Sequence, residues 1–368
     1  MGIPSYFSYI VKNHRNIIKK LKSDFRVDNL YLDSNSIIYD CLRKISKEYN
    51  GNNKSFEAKL IGEVCLKIDE YVDITNPQKK VMITFDGVAP VAKLEQQRNR
   101  RYKSQLEIEI FKNCGISENI QTWNKTAITP GTQFMKNLNK EIKKYFNNKS
   151  LYIISGSDIP GEGEHKIFEY IRKNCIKHKN ETTLIYGLDA DLIMLCLNHL
   201  NVSNNIYLYR ETPEFIKSID SSLDPNSSYI LNIDLLSEHI IIEMGGEKEK
   251  NKTCYIHDYI LLCFFLGNDF LPHFPALNIR TKGINILLNS YKHKMNNKFL
   301  TNGNEIIWKN LRELITYLSE NELSYIKQEY KSRNRYDRKE FMCSTPKEKM
   351  EKYLNIPIKN RDTEKYID

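Results

Sequence analysis

Five short apolar runs, each followed within a residue or two by acidic or turn residues, punctuate the first 210 positions: Asn29–Leu32, Lys80–Phe85, Leu151–Ile154, Thr183–Tyr186 and Ile206–Tyr209. Longer stretches with helical spacing lie among them, at 56–71, 91–111, 134–146 and 164–175. A strand of unbroken apolar residues offers no polar face to water, so both of its faces must be covered. Strands that alternate with helices are joined by crossovers and lie parallel. This confines the chain to an α/β fold with a mainly parallel central sheet flanked by helices.

The loops that leave the carboxyl ends of such strands gather on one edge, where ligands bind. The acids of this sequence fall there. Asp33 follows NLYL, Asp86 follows VMITF, Glu162 and Glu164 come shortly after LYII, and Asp189 with Asp191 follow LIYGL. A fifth station lies beyond an apolar helix from Asp258 to Leu266, where the turn residues Gly267 and Pro272 present Asp269. Glu162 and Glu164 are two apart, as are Asp189 and Asp191, a spacing that splays side chains by about 200° on a helix but aligns them on extended backbone. The spacing predicts extended segments at both pairs. Seven carboxylates on one edge repel unless protons or cations neutralise them. Oxygen-only ligands favour Mg²⁺, with Mn²⁺ as a substitute, over Zn²⁺. Two such ions about 3.5–4 Å apart are a standard device for phosphodiester hydrolysis. A single acid after a strand is most simply a helix cap or a loop residue. Five stations aimed at one edge are a ligand set.

The run DGVAPVAKLEQQRNRRYKS begins with a turn and continues as a helix holding Lys93, Arg98, Arg100, Arg101 and Lys103. Lys93, Gln97 and Arg101 are spaced by four and Arg100 stands seven after Lys93, so these four donors share one face. Such a face can hold a terminal phosphate through forked contacts; a basic helix is also commonly a solvated surface. The excess of 55 Lys+Arg over 46 Asp+Glu, a formal +9, suits a polyanionic partner without requiring one.

Eight scattered cysteines with no CxxC pair point to reduced thiols in an intracellular protein. The N-terminal residues lack the apolar core of a signal peptide, and no apolar run reaches the ~18 residues of a membrane helix. The cytoplasm is expected rather than the nucleus, because the lysines from Lys19 to Lys22 are too few for a nuclear signal. Beyond Gly283 the chain turns rich in Lys, Asn and Glu, with helical segments at 306–318 and 322–330 but no chemical motif, and order is expected to fade over the last 25 residues. The expected division is a nuclease domain over 1–283 and a helical extension over 284–368.

The blocks MGIPSYFSYI, NLYLDSNSII, FDGVAPVAKLEQQRNRRYKS, SGSDIPGEGEHKIFEYIR, IYGLDADLIMLCL and FFLGNDFLP resemble, in order, those of the Xrn-type 5′ to 3′ exoribonucleases. The resemblance implies a PIN-like 5′-nuclease fold and a Mg²⁺ cluster at Asp33, Asp86, Glu162, Glu164, Asp189, Asp191 and Asp269. It also implies a pocket of Lys93, Gln97, Arg100 and Arg101 that admits a 5′-monophosphate but not a cap or triphosphate. The implied substrate is single-stranded RNA with that end, released as nucleoside 5′-monophosphates.

Two departures stand out. Family members carry a base-stacking His on the helix after the first Asp, where this chain has Tyr39, a residue that can stack on a base or fill a core. Cellular members also continue into a second conserved region that encloses the RNA, which leaves room for a protein partner to complete the channel. Two other functions share the residues: a flap-type DNA nuclease and a non-catalytic RNA-binding scaffold. Against the first, ALNIRTKGINILLNSY keeps only Gly283 of a Gly-rich helix-hairpin-helix; against the second, none of the seven carboxylates is missing.

Overall fold

A computed structural model of the chain describes residues 5–113, 122–210, 223–224, 227–247, 250–296, 298–303, 305–338 and 345. Except for Thr345, the last 25 positions lie outside the described residues. The chain packs into two units, one of Tyr6–Ala92 with Gln121–His239 and one of Met1–Ser5, Lys93–Ile120 and Ile240–Asp368.

The first unit is built on a seven-stranded sheet: β1 (Ile18–Lys20), β2 (Asn29–Asp33), β3 (Lys80–Thr84), β4 (Tyr152–Ser155), β5 (Thr183–Tyr186), β6 (Ile206–Arg210) and β7 (Tyr229–Asn232), in the order β1-β7-β6-β5-β2-β3-β4. The five expected strands are all present and mutually parallel, from β6 through β4. Their interior members are buried along nearly every residue, as unbroken apolar strands must be. The sequence reading missed β1 and β7, which pair antiparallel beyond β6. Ile18–Lys20 is three residues long and mostly exposed, so no apolar run marks it.

From β2 the chain steps outward to β3 and β4, then returns to lay β5 along the other side of β2. The strand order therefore reverses at β2, and a crevice opens beyond its carboxyl end. Helices cover the sheet where local signals start and stop them. In the helix Asn53–Thr75 the Asn52 side chain accepts from Ser55 N–H at 3.2 Å, and the left-handed Asn76 (φ 43°) ends the run. Phe56, Leu60, Val64, Ile68 and Tyr71 of this helix join Leu30, Leu32, Val81 and Ile83 of the strands in one core.

The second unit is helical, with Lys252–Phe264, Gly283–Met295, Trp308–Ser319 and Glu322–Arg338. The last two fall where the pattern at 306–318 and 322–330 placed them. The helix expected to open at Asp258 starts instead at Lys252, after a left-handed Asn251 (φ 55°), which puts Asp258 mid-helix. Its fully buried carboxylate accepts from Tyr291 Oη, Leu300 N and Thr301 Oγ1, each at 2.7 Å. Among the described residues no helix is long and apolar enough to cross a membrane.

Candidate active site

Asp33 ends β2, the strand at which the order reverses. The residue is half-buried, but its Oδ1 is shut off from solvent and accepts no hydrogen bond. Burial, then the neighbouring charges of Asp86, Glu164, Asp189 and Glu162, push this carboxyl well above the ordinary range. Five of the seven predicted acids therefore act on one another beyond the carboxyl ends of β2, β3, β4 and β5.

Each is aimed by its loop. Asp86 lies two residues past β3, and both of its oxygens are held: Oδ1 accepts from the backbone of Gly163 at 2.8 Å, and Oδ2 from Asn35 Nδ2. Asn35 Oδ1 in turn accepts from Asp86 N–H at 3.2 Å. Gly163 is the first residue of the helix Gly163–Lys173, so the Asp86 carboxylate meets a helix N-terminus. The loops after β3 and β4 are zipped together by Gly87 N–H to Gly161 O at 2.8 Å and Gly161 N–H to Val88 O at 3.1 Å.

Extended backbone, expected at both acidic pairs, is found only in part. Glu162 is extended (φ −83°, ψ 152°) at the N-cap position, but Glu164 already sits in the first helical turn. Asp191 likewise opens the helix Asp191–Asn198, after an Ala190 in helical conformation. Short loops deliver the acids at helix N-termini, where the partial positive charge of the helix favours carboxylates. Glu162 and Glu164 are buried, Asp191 is half-buried and Asp189 is exposed. The ligand atoms of Glu162, Glu164 and His165 all lie within 4.8 Å of one another, which adds a histidine that the sequence reading did not single out.

Two buried cations stand beside the acids, and neither was predicted. Lys166 Nζ donates to Phe85 O at 2.7 Å and to Gly156 O at 2.9 Å, tying the loops after β3 and β4. Burial lowers its pKa, against the pull of Asp86, Asp158 and Asp33. Arg210 donates to Leu188 O in the loop that carries Asp189, and its guanidinium lies 3.9 Å from the centre of the Phe7 ring. Burial lowers its pKa to about 10, opposed by Asp189. Lys166 lies in the first turn of an amphipathic helix, and Arg210 ends a strand, so neither position carried a signal of its own.

The glycine at 163 is required by the crowding. A Cβ there would come 2.4 Å from Asp33 Oδ1 and 2.9 Å from Thr84 Oγ1. Gly163→Ala should improve helix propensity yet displace Asp33, with an activity loss of about 10²-fold. Activity and melting temperature measured on the same preparation check this: lower rate without lower stability is the expected outcome.

In the helical unit, Asp269 pairs with Lys93 Nζ at 3.1 Å and accepts from Gln96 Nε2 at 2.9 Å. Burial raises its carboxyl, but the bonds from Gln96 and Lys93 outweigh that and leave it below the ordinary value. Gln96, not singled out from the sequence, thus lies beside two residues that were. Gln97 is half-buried and Arg101 exposed on the helix Val91–Asn113, while the Arg100 side chain lies outside the described residues. Tyr39, in the sheet unit, is 43% exposed and so is not a core residue.

The buried acceptor left unsatisfied on Asp33, the repulsion around it and the predominantly oxygen donor set all fit a hard divalent cation. Glu162, Glu164 and His165 offer it donor atoms within 4.8 Å of one another, and Asp33, Asp86 and Asp189 add the surrounding negative charge.

Comparison with known proteins places the chain. Residues 1–212 match the family described as XRN 5′-3′ exonuclease N-terminus. Residues 249–365, which hold the Asp269 station and the helical patterning beyond Gly283, match the Xrn1 helical domain. The 5′-3′ exoribonuclease 1 of Saccharomyces cerevisiae is 32% identical over 88% of this chain and 23% of its own length. The human 5′-3′ exoribonuclease 1 is 34% identical over 79% of this chain and 18% of its own. The chain thus spans less than a quarter of either relative. Among solved structures, the catalytic core of Rad2 in complex with a DNA substrate covers 98% of this chain and 83% of its own, at 15% identity and a TM-score of 0.45. Since the first match runs through every strand exit that contributes an acid to the cluster, the chain belongs to the XRN 5′-3′ exonuclease family.

Proposed function

We propose that this chain hydrolyses single-stranded RNA from a 5′-monophosphate end, releasing nucleoside 5′-monophosphates with the help of two Mg²⁺ ions, for which Mn²⁺ can substitute. The observation that carries this reading is the buried, unsatisfied Oδ1 of Asp33 among Asp86, Glu162, Glu164 and Asp189, in a chain of this family. Bound divalent cations would supply activation of water and stabilisation of charge on the leaving oxygen. The chain's own residues do the placing. The Asn35 amide and the Gly163 N–H fix the Asp86 carboxylate, Lys166 ties the loops that carry Asp86 and Glu162, and Arg210 holds the Leu188 carbonyl ahead of Asp189.

The 5′-phosphate is assigned to Lys93, Gln97, Arg100 and Arg101 on the basic helix of the helical unit, and stacking of a base to the exposed ring of Tyr39 in the sheet unit. Six free cysteines among the described residues support an intracellular placement, which we take to be cytoplasmic. A protein partner that completes the RNA channel belongs to the same proposal.

The test is one 3′-labelled RNA carrying a 5′-monophosphate, triphosphate or hydroxyl, incubated with Mg²⁺ or EDTA beside Asp189→Ala. Mg²⁺-dependent loss of the monophosphate substrate alone, abolished in the variant, is the expected outcome. Equal cleavage of all three ends would remove the phosphate pocket from the account, and preferential cleavage of a DNA flap added as a fourth substrate would replace RNA as substrate.

A further inference from the structure

The helical unit carries a second surface with its own chemistry. Trp308 opens the helix Trp308–Ser319 and is 69% exposed, a large apolar area to leave in water. It stands in a cleft with Lys294, Lys309, Arg312, Glu313, Tyr317 and Glu320. Lys294 Nζ lies 4.6 Å from the centre of the Tyr317 ring, and the His293 ring packs 5.3 Å from the same ring. Glu313 is paired with Lys298 at 3.0 Å, which leaves Lys294, Lys309 and Arg312 against one further carboxylate, Glu320. The hydrogen bond from Lys298, reinforced by Lys309 and Lys294, holds the Glu313 carboxyl below its ordinary value, as expected where positive charge dominates.

An exposed indole flanked by cations is the chemistry that grips single-stranded nucleic acid: bases stack on the ring and phosphates meet the cations. A second copy of this chain would meet the same unbalanced positive charge on both sides, which disfavours self-association through this cleft. We propose that the cleft binds a short run of single-stranded RNA, with a base on Trp308 and phosphates on Lys294, Lys309 and Arg312. The inference rests on the proposed function for the class of polymer, but binding here requires no hydrolysis.

Tryptophan fluorescence isolates the site, because the only other tryptophan, Trp123, is buried and donates its indole N–H to Glu57 at 3.3 Å. The full chain in EDTA is titrated with an oligouridylate bearing a 5′-hydroxyl, and binding is followed in parallel by anisotropy of the labelled oligonucleotide. Saturable quenching is expected. Trp308→Ala should weaken binding about tenfold, Trp308→Phe should restore most of it, and Lys294→Gln with Arg312→Gln should flatten the salt dependence.

Unchanged affinity in Trp308→Ala, or equal quenching by inorganic polyphosphate, would overturn the proposal. So would sedimentation showing a wild-type dimer that Trp308→Ala dissociates while RNA affinity stays constant, which would make the cleft a protein interface. Quenching without hydrolysis anywhere in the chain would sink the proposed function and leave this site standing; hydrolysis without quenching would do the reverse.

Discussion

Asp33→Asn should abolish hydrolysis, by about 10³-fold or more, while making the cation-free protein more stable. Both effects have one source. Asp33 is half-buried among four other acids, with one buried oxygen, Oδ1, that accepts no hydrogen bond. Asparagine removes the charge at nearly constant volume and offers an N–H to the neighbouring carboxylates. Relief of a buried unsatisfied charge is worth about 2 kcal/mol or more, several degrees in melting temperature for a chain of this size.

The sign against pH follows from the raised folded-state pKa. Between the unfolded and folded values the native state binds the proton more tightly, so stability from this group is present at acid pH and lost as pH rises through the folded value. In EDTA, the gap between Asp33→Asn and wild type should therefore widen toward neutral pH. Mg²⁺ should narrow it by stabilising the wild type more, since a ligand that binds only the native state adds to its stability. A variant that melts below wild type in EDTA would mean that the cluster is not strained.

The second large effect lies in the helical unit. Asp258→Ala strips the shared acceptor from Tyr291 Oη, Thr301 Oγ1 and the N–H of fully buried Leu300. Each buried donor left unsatisfied costs about 1–3 kcal/mol, and the three are coupled through one carboxylate, so a total of about 4 kcal/mol is expected. Burial raises the Asp258 carboxyl while the three bonds resist it, so the network is held against a desolvation cost. Asp258→Asn keeps one acceptor oxygen and should lose less. Urea denaturation of both variants orders them; equal stability of wild type and Asp258→Ala would show the network to be dispensable.

The sheet was legible because its central strands are buried on both faces, and so written as unbroken apolar runs. The acids at its edge were legible because a carboxylate just past such a run has few structural uses, and several of them have almost none in common. What the sequence hid were residues whose type is ordinary for their element. Ile18–Lys20 is too short and too exposed to show a strand period. Lys166 looks like any helix lysine until its ammonium is found on two loop carbonyls. Arg210 and Asn35 act through backbone or side-chain contacts between segments far apart in the chain, which no local spacing encodes. Asp258 was read as the beginning of a helix because its role is set by Leu300 and Thr301, more than 40 positions later. The helical patterning after Gly283 was visible, but packing rather than chemistry defines it, so it offered no motif to recognise.

Stepwise removal of nucleotides from a 5′ end, driven by carboxylates beyond the carboxyl end of β2, is the proposed reaction. The most direct measurement is a product time course on a 5′-monophosphorylated RNA labelled at internal phosphates, with Mg²⁺, with EDTA, and with Asp33→Asn. The account predicts nucleoside 5′-monophosphates from the earliest time points, with no intermediate-length labelled fragments released from the 5′ side, and no product in either control. Oligonucleotide fragments at early times, or mononucleotides formed equally in EDTA, would contradict it.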